Sequence, residues 1–292
     1  MKIAIATDTN SGITAMEGEK LGVYVLAMPV NLEETIHYEG IDITSEQLYD
    51  AMREHRDVFT SQPSPGQLME LWDGILAKGY DEIVYIPMSS GLSGSCQSAA
   101  LFAQDYDGKV QVVDNHRISV TQKESVISAL RLVEQGYDAG QIRDFLEKHA
   151  YDASIYITVD SMEYLKKGGR VTPAAATLAT VLNLKPVLTI QGDKLDAFAK
   201  VRGMKLAESK MIEAIHHDRE ARFKDIPESR LLIETAGTLE SEELAEHWRQ
   251  QVQTEFPFAK VSYANLPCSI ACHVGMNSVA AVIMTEEVQR AD

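Results

Sequence analysis

Short apolar runs alternating with longer stretches of helical periodicity set the pattern of the first half of the chain. Residues 3–6, 23–30, 83–87 and 110–113 are runs of strand length, and they read as strands. Between them, the stretch 67–77 places Leu68, Leu71, Ile75 and Leu76 on one helical face, and 119–134 does the same with Val126, Leu130 and Val133. Both helices should pack on a sheet, the first leading into the 83–87 strand and the second following the 110–113 strand. This alternation predicts an α/β fold, with an N-terminal three-layer α/β/α domain built on a parallel sheet.

After about residue 150 the rhythm changes. Residues 154–159, 186–190, 195–199, 230–234, 261–263 and 279–284 supply strands with less regular helix alternation, which predicts a C-terminal α/β domain with a mixed sheet. The domains are therefore expected over 1–150 and 151–292, with the boundary near Tyr151. A length of 292 residues suits two such domains.

Composition narrows the function classes. With 45% hydrophobic and 24% charged residues the chain is an ordinary globular one, and no stretch approaches the roughly 18 consecutive apolar residues of a membrane span. The N-terminus turns polar by Thr7-Asp8, too soon for a signal-peptide core, so a cytoplasmic location is expected. A net charge of −16 repels phosphate backbones, which argues against nucleic acid as a partner and against transcriptional regulation. Three cysteines, Cys96, Cys268 and Cys272, form no disulfide framework, and Cys268, Cys272 and His273 lack the second ligand pair of a metal site; no metal is expected.

Four segments carry candidate chemistry. Thr60-Ser61-Gln62-Pro63-Ser64-Pro65-Gly66 delivers hydroxyls ahead of a helix; Ser64 as N-cap with Pro65 in the first turn explains part of it, but not Thr60 and Ser61. Ser89-Ser90-Gly91-Leu92-Ser93-Gly94-Ser95 follows a strand and opens a helix near Cys96, an arrangement that turns backbone N–H groups toward a carboxylate or phosphate. It matches neither the Walker loop nor the nucleophile elbow. Lys166-Lys167-Gly168-Gly169-Arg170 ends a helix on paired glycines and projects a planar guanidinium, suited to carboxylate or phosphate. His273 stands in a near-terminal apolar stretch, where either a core role or a functional one is open.

Taken in order, Thr60-Ser61-Gln62-Pro63-Ser64, Ser89-Ser90-Gly91-Leu92-Ser93-Gly94, Val113-Asp114, Leu165 to Arg170, Leu184-Lys185-Pro186-Val187, Lys200-Val201-Arg202-Gly203 and His273-Val274-Gly275 closely resemble the DegV family of fatty-acid-binding proteins. The opening Ile5-Ala6-Thr7-Asp8-Thr9 resembles that family's first strand. The resemblance implies two α/β domains with a long-chain fatty acid between them, no covalent cofactor, and, for some members, service as the B subunit of a fatty acid kinase. Such a subunit has no catalytic cycle alone and presents the carboxylate to a separate ATP-using kinase subunit that makes an acyl phosphate. By the same resemblance Thr60, Ser61, Ser93 and the Gly94 amide hold the carboxylate, Arg202 and His273 complete its hydrogen-bond network, and Arg170 serves phosphoryl transfer. Two segments depart from the family pattern, 115–123 and 275–278.

The physical reading is compatible with this ligand. Burying a methylene contributes ~0.8 kcal/mol, so roughly fourteen of them reach ~11 kcal/mol before binding costs, and the polar cluster sets where the head group stands. The alternative is a serine hydrolase acting on fatty acyl esters through Ser93 and His273, for which the sequence offers no evident acidic third member.

Overall fold

In the computed structural model, which describes residues 1–177 and 184–289, the chain forms two compact units. One is Met1–Tyr151 together with the segment from Glu287; the other is Asp152–Glu286.

The first unit runs β1 (Ile3–Asp8), α1 (Ala15–Leu21), β2 (Val23–Leu26), β3 (Pro29–Leu32), β4 (Thr35–Tyr38), α2 (Ser45–Arg53), β5 (Val58–Thr60), α3 (Pro65–Ala77), β6 (Glu82–Ile86), α4 (Ser95–Phe102), β7 (Val110–Val112), α5 (Val120–Glu134) and α6 (Ala139–Lys148). Strands β2-β1-β6-β7 pair in that order, all in parallel. Successive residues of a strand point to opposite faces. Ile5, Val84 and Ile86 accordingly pack with Val126, Leu132 and Ile142 of α5 and α6, while Ala4, Ala6, Ile83 and Tyr85 pack with Leu68, Trp72 and Ala99 of α3 and α4. This is the three-layer arrangement expected from the apolar pattern.

The run 23–30 divides instead of forming one strand. β2 lies in the parallel sheet, whereas β3 belongs to a separate antiparallel sheet of order β4-β3-β5. Proline has no N–H to donate to a ladder, and the Met28 N–H before it bonds the Thr9 side chain at 3.1 Å, so the chain leaves the first sheet there. After Thr285 the chain returns to the first unit: Val288 enters its core, Glu287 pairs with Arg117, and Arg131 donates to the Val288 carbonyl.

The second unit runs β8 (Ala153–Thr158), α7 (Glu163–Gly168), α8 (Pro173–Ala176), β9 (Leu184–Ile190), β10 (Asp196–Arg202), α9 (Met204–Ala221), β11 (Leu231–Gly237), α10 (Glu242–Glu255), β12 (Ser262–Asn265), α11 (Cys268–Val274) and β13 (Val279–Thr285). Its sheet has the order β10-β9-β8-β13-β11-β12 and is mixed, with only β11 and β12 parallel. Ala207, Met211 and Ile215 of α9 and Trp248 and Val252 of α10 pack on Tyr156, Val187, Ile233, Ala281 and Ile283. No helix among the described residues is long and apolar enough to cross a membrane.

Candidate functional site

In the parallel sheet, β1 has β2 on one side and β6 on the other, so the strand order reverses between β1 and β6. Open α/β sheets bind ligands at such a reversal, outside the carboxyl ends of the strands. The loops leaving β1 and β6 flank it, and the second is the serine-rich 89–95 segment.

That loop is tightly held. The carbonyl of buried Ser89 accepts from Leu92 N (3.1 Å) and Ser93 N (3.2 Å), its hydroxyl accepts from Gly91 N at 3.1 Å, and Ser90 N donates to Asp114 Oδ1 at 3.2 Å. Gly94 is the N-cap of α4 and makes no side-chain cap bond; Ser93 Oγ accepts from Ser95 N at 3.2 Å. The mouth of α4 therefore combines hydroxyls, amide N–H groups and the positive end of a helix dipole.

The 60–66 loop meets this mouth. Ser98 Oγ donates to Gln62 Oε1 at 3.3 Å, and a Cβ on Gly94 would stand 3.5 Å from the same oxygen. Thr60 ends β5, and exposed Ser61 accepts from buried Asn31 through Oγ at 3.3 Å. Ser64 and Gln67 form a capping box on α3 with Pro65 in the first turn, so Ser64 is engaged in holding the helix.

Beneath the loops lies Asp8, at the end of β1 and fully buried. Its carboxylate accepts from Asn10 N (3.1 Å), Asn10 Nδ2 (3.0 Å), Gln122 Nε2 (3.1 Å) and Met88 N (3.1 Å), tying the ends of β1 and β6 to α5. Burial raises its pKa above the usual carboxylate range, and these hydrogen bonds pull the other way. The thiol of Cys96, one turn from Ser93, is pushed up to about 12 by burial and by the nearby charges of Asp114, Glu147 and Asp8, which leaves it unreactive.

The second unit holds its own cluster. Helix α7 ends at Gly168 and is closed by Gly169 in the left-handed conformation (φ 69°), after which Arg170 turns back to donate to the Gly168 carbonyl. His273 lies on α11, in helix between β12 and β13, and packs directly over Gly168: a Cβ there would overlap His273 Nδ1. Burial first, and the Arg170 charge second, lower the His273 pKa to about 4, so its imidazole is neutral at pH 7. Arg202, exposed at the end of β10 opposite Leu184, belongs to the β9–β10 edge of the sheet.

Gly168→Ala should therefore destabilise the protein despite alanine's better helix propensity. Overpacking of ~1–3 kcal/mol exceeds a propensity gain of at most ~1 kcal/mol. Gly74, in α3, is the control, because a Cβ added there would meet nothing within 4 Å. Gly74→Ala should hold or raise the melting temperature while Gly168→Ala lowers it, as thermal denaturation would report.

Within the first unit the structure thus brings Gln62 to Gly94 and Ser98, while the bond it shows for Ser61 is to Asn31, and within the second it brings Arg170 to His273. Sequence reading overlooked Asp8, Gln62 and Gln122. A polar residue at the carboxyl end of a parallel strand could have flagged Asp8; Gln62 and Gln122 carry no such local signal. No cluster of potential metal ligands occurs among the described residues.

These features define a two-unit α/β protein with a serine-rich, anion-suited helix mouth at the carboxyl edge of its parallel sheet. The chain belongs to the DegV family: the family model described as "Uncharacterised protein, DegV family" matches residues 2–286. A DegV domain-containing protein of Deinococcus radiodurans is 34% identical over 216 residues, covering 74% of this chain and 76% of its own. Among solved structures, a DegV family protein from Thermus thermophilus, described as fatty acid binding, is 30% identical with a TM-score of 0.86, covering 98% of this chain and 100% of its own. DegV of Bacillus subtilis, described as a fatty acid binding protein, is 25% identical with a TM-score of 0.84, covering 98% and 99%.

Proposed function

We propose that this chain binds a long-chain fatty acid and presents its carboxylate to a separate ATP-using kinase subunit, which converts it to an acyl phosphate. The observation that carries the reading is membership in a family whose Thermus member, similar over nearly the whole chain, binds fatty acid. The carboxylate is assigned to Thr60, Ser61, Ser93 and the Gly94 amide at the mouth of α4. Arg202 and His273 are assigned to its hydrogen-bond network, and a neutral imidazole can donate one hydrogen bond without adding charge. In the transfer step a carboxylate oxygen attacks the γ-phosphorus of ATP, the bond to the β-phosphate breaks, and ADP leaves. Arg170 supplies positive charge to the phosphoryl group in flight.

The hydrolase alternative is disfavoured by the environment of His273. In a catalytic triad the base is oriented by a carboxylate that stabilises imidazolium, whereas here the charged neighbour that shifts the ring is Arg170, and a pKa of about 4 makes it a weak base. Absence of turnover of an activated acyl ester by the purified protein is the expected result; turnover lost in Ser93→Ala would establish the alternative.

Ser93→Ala should weaken fatty-acid binding without abolishing it. One charge-assisted hydrogen bond contributes ~1.5–3 kcal/mol against a much larger contribution from the tail. Equal affinities of wild type and variant for both palmitate and methyl palmitate would place the carboxylate elsewhere.

A further inference from the structure

We infer that Arg117 and Glu287 are a positioning pair for the 89–95 loop, fixing through the Arg117 main chain where Ser93 stands; the inference rests on the carboxylate reading of that loop. Arg117 lies in the segment that departs from the family pattern, and Glu287 lies in the stretch that returns to the first unit after β13. Their side chains are 2% and 1% exposed, and Arg117 Nη2 donates to Glu287 Oε1.

The guanidinium is engaged on every side. Nε donates to the Ala150 carbonyl (3.3 Å), Nη2 also to the His149 carbonyl (2.7 Å), and Nη1 to Ser125 Oγ of α5 (3.3 Å). One side chain thus joins the end of α6, the middle of α5 and the C-terminal segment. Its rigid fork makes it a fixed point, which a lysine could not reproduce.

The main chain at that point is constrained as well. His116 (φ 51°) and Ser119 (φ 56°) adopt the left-handed region that non-glycine residues disfavour, and Asn115 Oδ1 accepts from Arg117 N at 3.1 Å. Such a loop keeps its shape only where its surroundings impose it, and the side chain of Arg117 is one such tie. The Arg117 carbonyl in turn accepts from Ser89 N at 2.8 Å, and the Ser89 carbonyl accepts from Ser93 N at 3.2 Å. Two hydrogen bonds therefore separate the buried pair from Ser93, whose hydroxyl holds Ser95 N at the helix mouth.

Well-packed apolar residues often replace a buried ion pair with little loss of stability. That separates positioning from folding experimentally. In the full chain, the double variant Arg117→Met with Glu287→Leu should fold and bind methyl palmitate within about twofold of wild type, since the tail is untouched. Its affinity for palmitate should fall about tenfold, the scale of one misplaced charge-assisted hydrogen bond, so the acid-to-ester affinity ratio falls with it.

Ser93→Ala is measured alongside. A wild-type ratio in the folded double variant, with a reduced ratio in Ser93→Ala, would overturn the positioning inference and leave the site reading standing. A wild-type ratio in Ser93→Ala overturns both. If the double variant does not fold, Glu287→Gln, which keeps shape and removes the charge, decides on the same ratio: a reduced ratio supports the inference and an unchanged one overturns it.

Discussion

Arg170→Ala is expected to leave fatty-acid binding within about twofold of wild type while lowering acyl-phosphate formation by the kinase subunit by roughly three orders of magnitude. The first expectation follows from the assignment of the carboxylate to the hydroxyls and amide at the mouth of α4, and from the dominance of the tail in affinity. The second follows because phosphoryl charge is present at the site only during transfer. An interaction made only in the transition state lowers the rate and spares ground-state binding.

The turn formed by Gly168 and Gly169 fixes where Arg170 stands, since Gly169 takes the left-handed conformation that closes α7. Arg170→Lys should rescue poorly, a point charge being unable to supply two parallel donors. If Arg170 served only to dock the kinase, Arg170→Ala would raise the apparent KM for this subunit and spare kcat. Acyl-phosphate formation measured over a titration of this subunit separates the two: full kcat at saturation contradicts the chemical role.

The second large effect concerns His273 and acid stability. Its folded-state pKa of about 4 lies below the ordinary value of 6.5, so below pH 6.5 the unfolded chain takes up a proton that the folded protein refuses. The stabilisation is fully present above pH 6.5 and is lost as pH falls through 4. At 1.36 kcal/mol per pH unit the window amounts to about 3 kcal/mol. Asp8 acts in the opposite sense: its raised pKa gives a contribution present at low pH and lost as pH rises through the folded value.

Comparing fatty-acid-free wild type with His273→Asn isolates the histidine, because both proteins carry Asp8. Denaturant unfolding at pH 7 and pH 4 should show wild type losing about 3 kcal/mol more than the variant. Parallel curves would contradict a buried, neutral His273. Arg170→Ala should narrow the window, since it removes the second cause of the shift. Bound fatty acid should narrow it too, if its carboxylate bonds the imidazole as proposed.

Much of the scaffold was legible in the sequence. The apolar runs of β1, β6 and β7 and the one-sided faces of α3 and α5 identify a parallel sheet covered on both faces, because such burial demands continuous apolar strands and amphipathic helices. Ser64-Pro65 marked the start of α3, and Gly168-Gly169 marked the end of α7, through local backbone chemistry that survives in any fold.

Other features depend on partners distant in sequence. β4 and β5 are short and partly exposed, so they carry no alternation, and β3 merges with β2 into one apolar run until pairing separates them. The return of Glu287 and Val288 to the first unit depends on Arg117 and Arg131, more than 150 residues earlier. Within the site, the helix mouth at Ser93 and Gly94 was visible as a motif. The Asp8–Gln122 network was only half visible: the place of Asp8 at the end of a strand is a local signal, whereas nothing local distinguishes Gln122, which folding buries against it, from a glutamine that water keeps.

The central claim, that the chain is a fatty-acid carrier, is tested most directly by native mass spectrometry of the protein as purified from cells, with lipid extraction of the same sample. An added mass of one long-chain fatty acid per chain, near one equivalent, is predicted, because a ligand abundant in cells that binds only the folded protein stabilises it by mass action. Protein that carries no fatty acid, and after delipidation remains folded but fails to take up palmitate or oleate, would contradict it.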